Sequence, residues 1–583
     1  MAKALPQPTL DTRAGVDARL QAIDKLEELV NEVVREKTRH RSNVALKRAI
    51  RTWRKGDIVK AGQWALKATD IDGENPKAFH VLAMALERMG HLHKALITYE
   101  RAFELDPEDP ELLINLGLTA WHLKLTEGAI KMFKLYIASC PDSPLGYNNL
   151  GSCLGDMGQI DEAIETLRAA LYRMPEEAML WNSLATVLAE SNRADESLIF
   201  YEEAARLAPT FARAYHNLGY AYQHLDQLDK ALISYDKALE LVTDPAERIE
   251  TLHSRSICLI GLGKLEEGFR EYEIRNNERF RCYFHHMMDS PGWHGEDVRG
   301  KKLLLVGEQG LGDEILFSNI LPDAYAAVGE EGKLQICVDP RLIPLFQRSY
   351  PKAEVGTYDD RTLIDGNGNK ALRLIPFASK DNKPDFWAPM GSALQYYRKS
   401  LADFPRKPFL TPDPARVAQY KEQLALLPGK KVGICWRSML IAGKRGRFFT
   451  AIDAWGDILR TPGITFVSLQ YGDSAPDIAR AKEKFGVEIH QVAGLDLKDD
   501  IDGTAALCQA VDLVLSAPTA AAHTAASVGA EVWFLAVGYG WPQLGTAEYP
   551  WHAKTRVYWP KKLGDWDAVL PRFAADFAAY AAG

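Results

Sequence analysis

The residues best suited to chemistry in this chain stand in three turns. In the first, "GEQGLGDEILF", the glycines Gly307, Gly310 and Gly312 permit a tight turn with close backbone approach, and Asp313 follows where a helix should begin. A carboxylate at the mouth of a cleft can take a proton from an attacking hydroxyl; the competing reading is that Asp313 only caps its helix. The second, "GICWRSMLIAGKRGRFFT", carries Arg437, Ser438, Lys444, Arg445 and Arg447, cations and a hydroxyl able to hold phosphate, unless the loop is a solvated hinge. The third, "LSAPTAAAHTAASVG", puts Ser516 and Thr519 at a helix entry with His523 one turn on. A helix N-terminus has free N–H groups and is a ready anion site; His523 also fits a satisfied buried imidazole. A dinucleotide fingerprint, with Asp339 closing the second strand, is disfavoured. The glycine order is GxxGxG rather than GxGxxG, and Asp313 would repel a pyrophosphate.

Strands must position these turns. The runs "KLLLV", "LQICV", "KVGICW", "ITFVSLQ", "DLVLSA" and "EVWFLA" are continuously apolar, as buried parallel strands are, and each precedes a turn and a helix-like segment. The pattern predicts doubly wound α/β architecture, divided near Pro405 to Pro414 into halves at 300–410 and 411–583, the latter closing with a helix. In open parallel sheets ligands sit beyond the carboxyl ends of the strands, so the three turns should face one cleft.

Ahead of this lies a 34-residue period. Prolines fall at Pro76, Pro107, Pro141, Pro175 and Pro209; small residues recur at Ala83, Gly117, Gly151, Ala185 and Gly219, and again at Ala95, Ala129, Ala163, Ser197 and Ala231. Large residues alternate with them at Leu82, Leu116, Leu150, Leu184 and Leu218, then Tyr99, Phe133, Leu167, Tyr201 and Tyr235. Small residues let paired helices approach, large ones fill between pairs, and each proline is expected to end a second helix. The pattern is similar to tetratricopeptide repeats, here placed at 42–279. Such a solenoid presents a concave surface for polypeptide. Asn115, Asn149 and Asn217 share one register, with Ser183 between and Val81 ahead, and spaced carboxamides can grip an extended peptide backbone; asparagine is also simply common there. Residues 1–41 form a charged helix with a stripe of Val16, Ile23, Leu26, Val30 and Val33, read as a cap or a homodimer seam before a partner site. Residues 280–299 read as a linker; His285 and His286 lack a third metal ligand.

With 583 residues the chain needs several cores, and a formal charge of −8 without a long basic run argues against nucleic acid as partner. No membrane span and no apolar signal core is visible, so a cytoplasmic protein is expected. Cys140, Cys153, Cys258, Cys282, Cys337, Cys435 and Cys508 are scattered, as reduced buried thiols are. DxD matches at Asp70 to Asp72, Asp500 to Asp502 and Asp565 to Asp567 are expected by chance among 78 acidic residues, and no metal or other cofactor is expected.

Taken with "VGICWRS", "FVSLQYGD", "TAALCQAVDLVLS", "TAAAHTAASVGAEVWFL", Pro322 and the late "GDW", the chain resembles bacterial proteins that fuse tetratricopeptide repeats to a heptosyltransferase-like glycosyltransferase domain. That resemblance implies an α plus α/β multidomain protein, a helical solenoid followed by a metal-independent GT-B domain of two Rossmann-like halves. It implies Asp313 as catalytic base. Gly310, Gly312, Arg437, Ser438, Lys444, Arg447, Ser516, Thr519 and His523 would serve the nucleotide-sugar donor, and Asn115, Asn149 and Asn217 the acceptor protein. The whole-chain layout is similar to flagellin glycosyltransferases, which implies O-glycosylation of flagellin Ser/Thr from a CMP-linked nonulosonic acid such as pseudaminic acid. Pro518 stands where relatives usually have Asp; losing that charge suits an acidic sugar, and proline also fits a first helical turn. A transferase acting on surface or lipid-linked saccharide, and a non-catalytic repeat adaptor, remain the alternatives.

Overall fold

The computed structural model describes residues 13–280, 283–365, 368–439, 448–538 and 540–583; Lys444, Arg445, Arg447 and Cys282 lie outside them. By contacts the chain divides into two units, Met1–Glu162 and Ala163–Leu363 with Lys370–Gly583.

The first unit is helical, pairing Arg13–Arg54 with Ile58–Ile71, Pro76–Arg88 with Leu92–Leu105, and Pro110–His122 with Thr126–Ser139, before Pro144–Asp156. The small-residue register works by contact. A β-carbon on Gly117 would lie 2.6 Å from the Phe133 ring, and Ala83, Ala95 and Tyr99 are wholly buried. Two expectations are corrected. The boundary at residue 41 falls inside one continuous helix, Arg13–Arg54, because no glycine or proline interrupts the chain between Gly15 and Gly56. Its last turns belong to the first repeat pair: Ser42, Ala45, Leu46 and Ala49 are buried, and the Ser42 hydroxyl donates to the Ala68 carbonyl at 2.9 Å. Further back, Leu26 and Val33 of the stripe are 62% and 52% exposed; the side chains of Val16, Ile23 and Val30 lie outside those described. The second correction concerns Pro76, which opens a helix, as Pro110 and Pro144 do, whereas Pro107 and Pro141 follow helix ends.

The second unit continues the repeats with Ala178–Glu190 and Ala194–Leu207, Ala212–His224 and Leu228–Leu241, and a last pair, Pro245–Gly261 and Leu265–Tyr272. A β-carbon on Gly219 would meet Tyr235 at 2.8 Å. The last pair is offset: helix Pro245–Gly261 has 17 residues where Ala212–His224 has 13, so the wholly buried Ser256 takes the small-residue place and Tyr272, 4% exposed, the large one.

Then the period changes to strands. They are β1 (Phe284–Met287), β2 (Lys302–Val306), β3 (Lys333–Cys337), β4 (Glu354–Gly356), β5 (Asp359–Asp365), β6 (Gly368–Leu374), β7 (Phe386–Pro389), β8 (Lys430–Cys435), β9 (Ile464–Ser468), β10 (Ile489–His490), β11 (Leu513–Ser516), β12 (Val532–Leu535) and β13 (Thr555–Tyr558). One sheet runs β4-β3-β2-β7, a second β10-β9-β8-β11-β12-β13, and a small third β1-β6-β5. The strands of the first two sheets pair in parallel, as β1 does with β6. The expected linker 280–299 is therefore partly sheet. Phe284–Met287 pairs with Ala371–Leu374, Trp293 is 5% exposed, and its backbone N–H donates to the Trp387 carbonyl at 2.7 Å. The polar FHHM sequence carries no apolar run, so its strand is not legible in the sequence. Helix Trp566–Ala582 closes the second sheet's core through Phe573 and Phe577, packed with the buried Trp455 and Trp533.

Candidate active site

The chain order reverses in the first sheet at β2 and in the second between β8 and β11, so the turns following these three strands share the switch-point crevice. They line one cleft of about 550 Å³, which includes Gly310, Gly312, Asp313, Ser438, Pro518 and Thr519. Five of the predicted site residues thus meet there: Gly310, Gly312, Asp313, Ser438 and Thr519. The approach across the cleft is close. A β-carbon on Gly312 would lie 3.7 Å from the Ala520 amide nitrogen, so any larger residue would begin to fill the space between the turn and the opposite helix.

Asp313 stands in the first turn of helix Leu311–Phe317, its amide donating to the Gly310 carbonyl at 2.9 Å. Its carboxyl is pushed up to about 6, chiefly by burial and further by the charge of Glu308, against a lowering hydrogen bond from the Gly310 backbone. Opposite, Thr519 caps helix Ala520–Ser527; its hydroxyl oxygen accepts from the Ala522 N–H at 3.4 Å, and Ala520 and Ala521 line the cleft. The first turn of this helix therefore lines the same cleft as Asp313.

Other predicted residues sit elsewhere. Arg437 forms a 2.8 Å ion pair with Asp477, which also accepts from the Trp436 indole at 3.0 Å, and Arg437 does not line the cleft. Ser516 is wholly buried, its hydroxyl donating to the Ala517 carbonyl at 2.7 Å. His523, 8% exposed, lies 3.3 Å from His552 through ring nitrogens and stacks on Tyr549; burial lowers it to about 4, so it is a neutral core imidazole near neutral pH. Asp500 pairs with Arg416 and caps a helix, and Asp502 pairs with Arg348 at 2.6 Å, which accounts for that DxD match structurally. Among the described residues no group of three His, Cys, Asp or Glu could hold a metal ion, and no helix is long and apolar enough to cross a membrane.

Sequence reasoning missed the supports. Arg275, 4% exposed, donates to both oxygens of Glu308 at 2.9 and 2.7 Å, and Glu308 in turn accepts from the Gly391 N–H at 2.6 Å. Gln309, at φ +64°, donates to the Tyr272 hydroxyl at 2.7 Å, so the end of the repeats grips the glycine turn directly. Glu314 is wholly buried and raised to about 7 by burial; it accepts from the Asp339 N–H at 2.9 Å and Tyr358 at 2.5 Å. Arg341, Tyr471 and Lys498 also line the cleft. Nothing in their spacing marks them, since each comes from a different loop.

In the first unit the Asn115 carboxamide meets His80 Nε2 at 2.9 Å, and Asn149 is buried, its Oδ1 accepting from Asn148 at 3.2 Å while its Nδ2 has no partner among the described residues. In the second unit Asn217 donates to Asn182 at 3.0 Å. Asn115 and Asn217 thus fasten to the preceding repeat.

Tetratricopeptide-repeat family models match residues 80–144, 149–211 and 212–242. The chain is 41% identical over 331 residues to Protein FlbA of Caulobacter vibrioides, covering 56% of this chain, and it spans about 55% of that protein's length. Among solved structures it is similar to a thermophilic TPR protein of Thermus thermophilus, at 26% identity over 31% of this chain and 98% of that one, TM-score 0.28. A tetratricopeptide repeat protein from Parabacteroides merdae matches at 17% identity over 37% of this chain and 84% of that one, TM-score 0.33. The first half of the chain is accordingly a tetratricopeptide-repeat array, a type of scaffold that contacts other proteins, carried on the same polypeptide as two parallel-sheet α/β halves.

Proposed function

We propose that the chain is a protein O-glycosyltransferase of GT-B type that moves a sugar from a nucleotide donor to a Ser or Thr hydroxyl of an acceptor protein recruited by the repeats. The observation that carries this reading is Asp313, raised to about 6, set in a cleft of about 550 Å³ against the amino end of helix Ala520–Ser527. At neutral pH such a carboxyl is ionised yet more basic than an ordinary aspartate, as a general base should be. The acceptor proton passes to Asp313 and the hydroxyl oxygen bonds to the anomeric carbon. The bond from that carbon to the donor phosphate oxygen breaks, and its electron pair leaves with the nucleotide. Ala520 and Ala521, at the amino end of a helix, and Lys498 line the cleft, and in this reading their N–H groups and ammonium offset the departing charge. The finer reading, flagellin as acceptor and a CMP-linked nonulosonic acid as donor, rests on the whole-chain resemblance and on the uncharged Pro518 in the cleft lining. Incubating the full chain with flagellin and a panel of nucleotide sugars, read by intact mass, tests both levels. A mass increment from a CMP-linked acidic sugar is expected. An increment from another donor removes the nonulosonate assignment, and no increment from any donor removes the transferase.

A further inference from the structure

Asp313 and Gly310 belong to two cavities. Besides the cleft described above, they line a second space of about 460 Å³ whose other walls come from the end of the repeats and from β1. His253 contributes from the last repeat, Asn276 and Phe280 from the segment after it, Phe284 and His286 from β1, and Gln309 from the glycine turn. Three features suit this space to a polypeptide. His253 stands at the place of His80 and His216 in their repeats, because helix Pro245–Gly261 is longer than its predecessors and shifts the register, while the wholly buried Ser256 takes the small-residue place. Like those two histidines, His253 has its ring against the tyrosine of its own pair, 5.7 Å from Tyr272, and it also lies 4.7 Å from Phe280, so that the three rings form an aromatic wall. His286 Nε2 is buried with no hydrogen-bond partner among the described residues, a group that an incoming amide or hydroxyl would satisfy. Finally, Asn276 and Gln309 bring carboxamides whose nitrogens are held by Glu273, Ser392 and Tyr272, which orients their oxygens as acceptors for peptide N–H groups.

We infer that this second cavity receives the acceptor: an extended peptide segment whose Ser or Thr hydroxyl reaches Asp313 from the repeat side, while the nucleotide sugar occupies the other cleft. The inference rests on the transferase reading and adds the acceptor's place and the residues that select it. The step is the displacement written above, with the hydroxyl proton passing to Asp313 from this side.

Two measurements on the full chain test it. His253→Ala trims a partly exposed ring at the surface of the cavity, so the fold is expected to hold. It should raise the KM for flagellin about ten-fold while the Kd of the nucleotide, taken from calorimetry with CMP, UDP and ADP, stays within about two-fold. Phe280→benzoylphenylalanine should photo-crosslink to flagellin at a segment holding Ser or Thr, mapped by mass spectrometry. An unchanged flagellin KM in His253→Ala, or crosslinks confined to segments without a hydroxyl residue, overturns the inference. If the parent binds none of the nucleotides yet crosslinks at a Ser/Thr segment, the transferase reading falls and the peptide cavity stands.

Discussion

Replacing Asp313 by asparagine separates its chemistry from its structural role. The carboxyl is raised from 3.8 to about 6 in the folded protein, principally by burial. Each unit is worth about 1.4 kcal/mol, so the ionised folded state carries a penalty of about 3 kcal/mol. The sign follows from linkage. A folded pKa above the unfolded one gives stability that is full below about pH 4 and is lost as pH rises through about 6. A carboxamide cannot ionise, so Asp313→Asn should gain on the parent as pH rises, the gap widening by about 2 kcal/mol between about pH 4.5 and 7.5. Urea unfolding at the two pH values measures this without any knowledge of the substrate. Transfer to flagellin should fall by about 10²- to 10⁴-fold in the same variant, the ordinary contribution of a positioned base, and the parent's kcat/KM should rise with pH through about 6. A stability gap that does not change with pH would mean that the carboxyl is not desolvated; unchanged turnover would remove Asp313 from the reaction.

Other substitutions probe the frame around it. Thr519→Ala removes the side-chain cap but leaves the helix amides, so nucleotide affinity measured by calorimetry should drop by less than about ten-fold, with about 1 kcal/mol lost in unfolding. Arg437→Ala, by contrast, should destabilise through Asp477 and Trp436 and leave nucleotide affinity nearly unchanged; a loss of affinity beyond about ten-fold would return Arg437 to the donor site. Arg275→Met leaves Glu308 buried without its cation and should cost about 3 to 5 kcal/mol in urea unfolding, part of which Glu308→Gln in the same chain should recover. Within the first unit, Gly117→Val places methyl groups on the Phe133 ring and should cost roughly 1 to 3 kcal/mol or more, read as a lower midpoint in thermal unfolding.

Much of this protein is legible in one dimension. The repeats are, because the two helices of each pair meet by the same contact, so Gly117 against Phe133 and Gly219 against Tyr235 appear in the sequence as a constant spacing. The central strands are, because burial on both faces demands unbroken apolar runs such as "KLLLV" and "DLVLSA". Turns after such strands locate the cleft, which is why Gly310, Gly312, Asp313, Ser438 and Thr519 are legible in the sequence. Edge and polar elements are not legible this way: β1 reads FHHM, and its strand exists only because β6 lies beside it. Side-chain direction is not legible either. Arg437, Ser516 and His523 have the right types in the right turns, but Asp477 turns the first away from the cleft, and close packing buries the other two. The partners that hold the site come from distant sequence: Arg275 meets Glu308, Gln309 meets Tyr272, and Asp339 meets Glu314. Periodicity and apolar runs record what every residue of an element must do to be packed at all, so the sequence alone determines the architecture and the place of the crevice. Which carboxylate is desolvated, which cation is already paired and which cavity a histidine lines depend on groups that only the folded chain brings within a few ångströms, and those the tertiary structure decides.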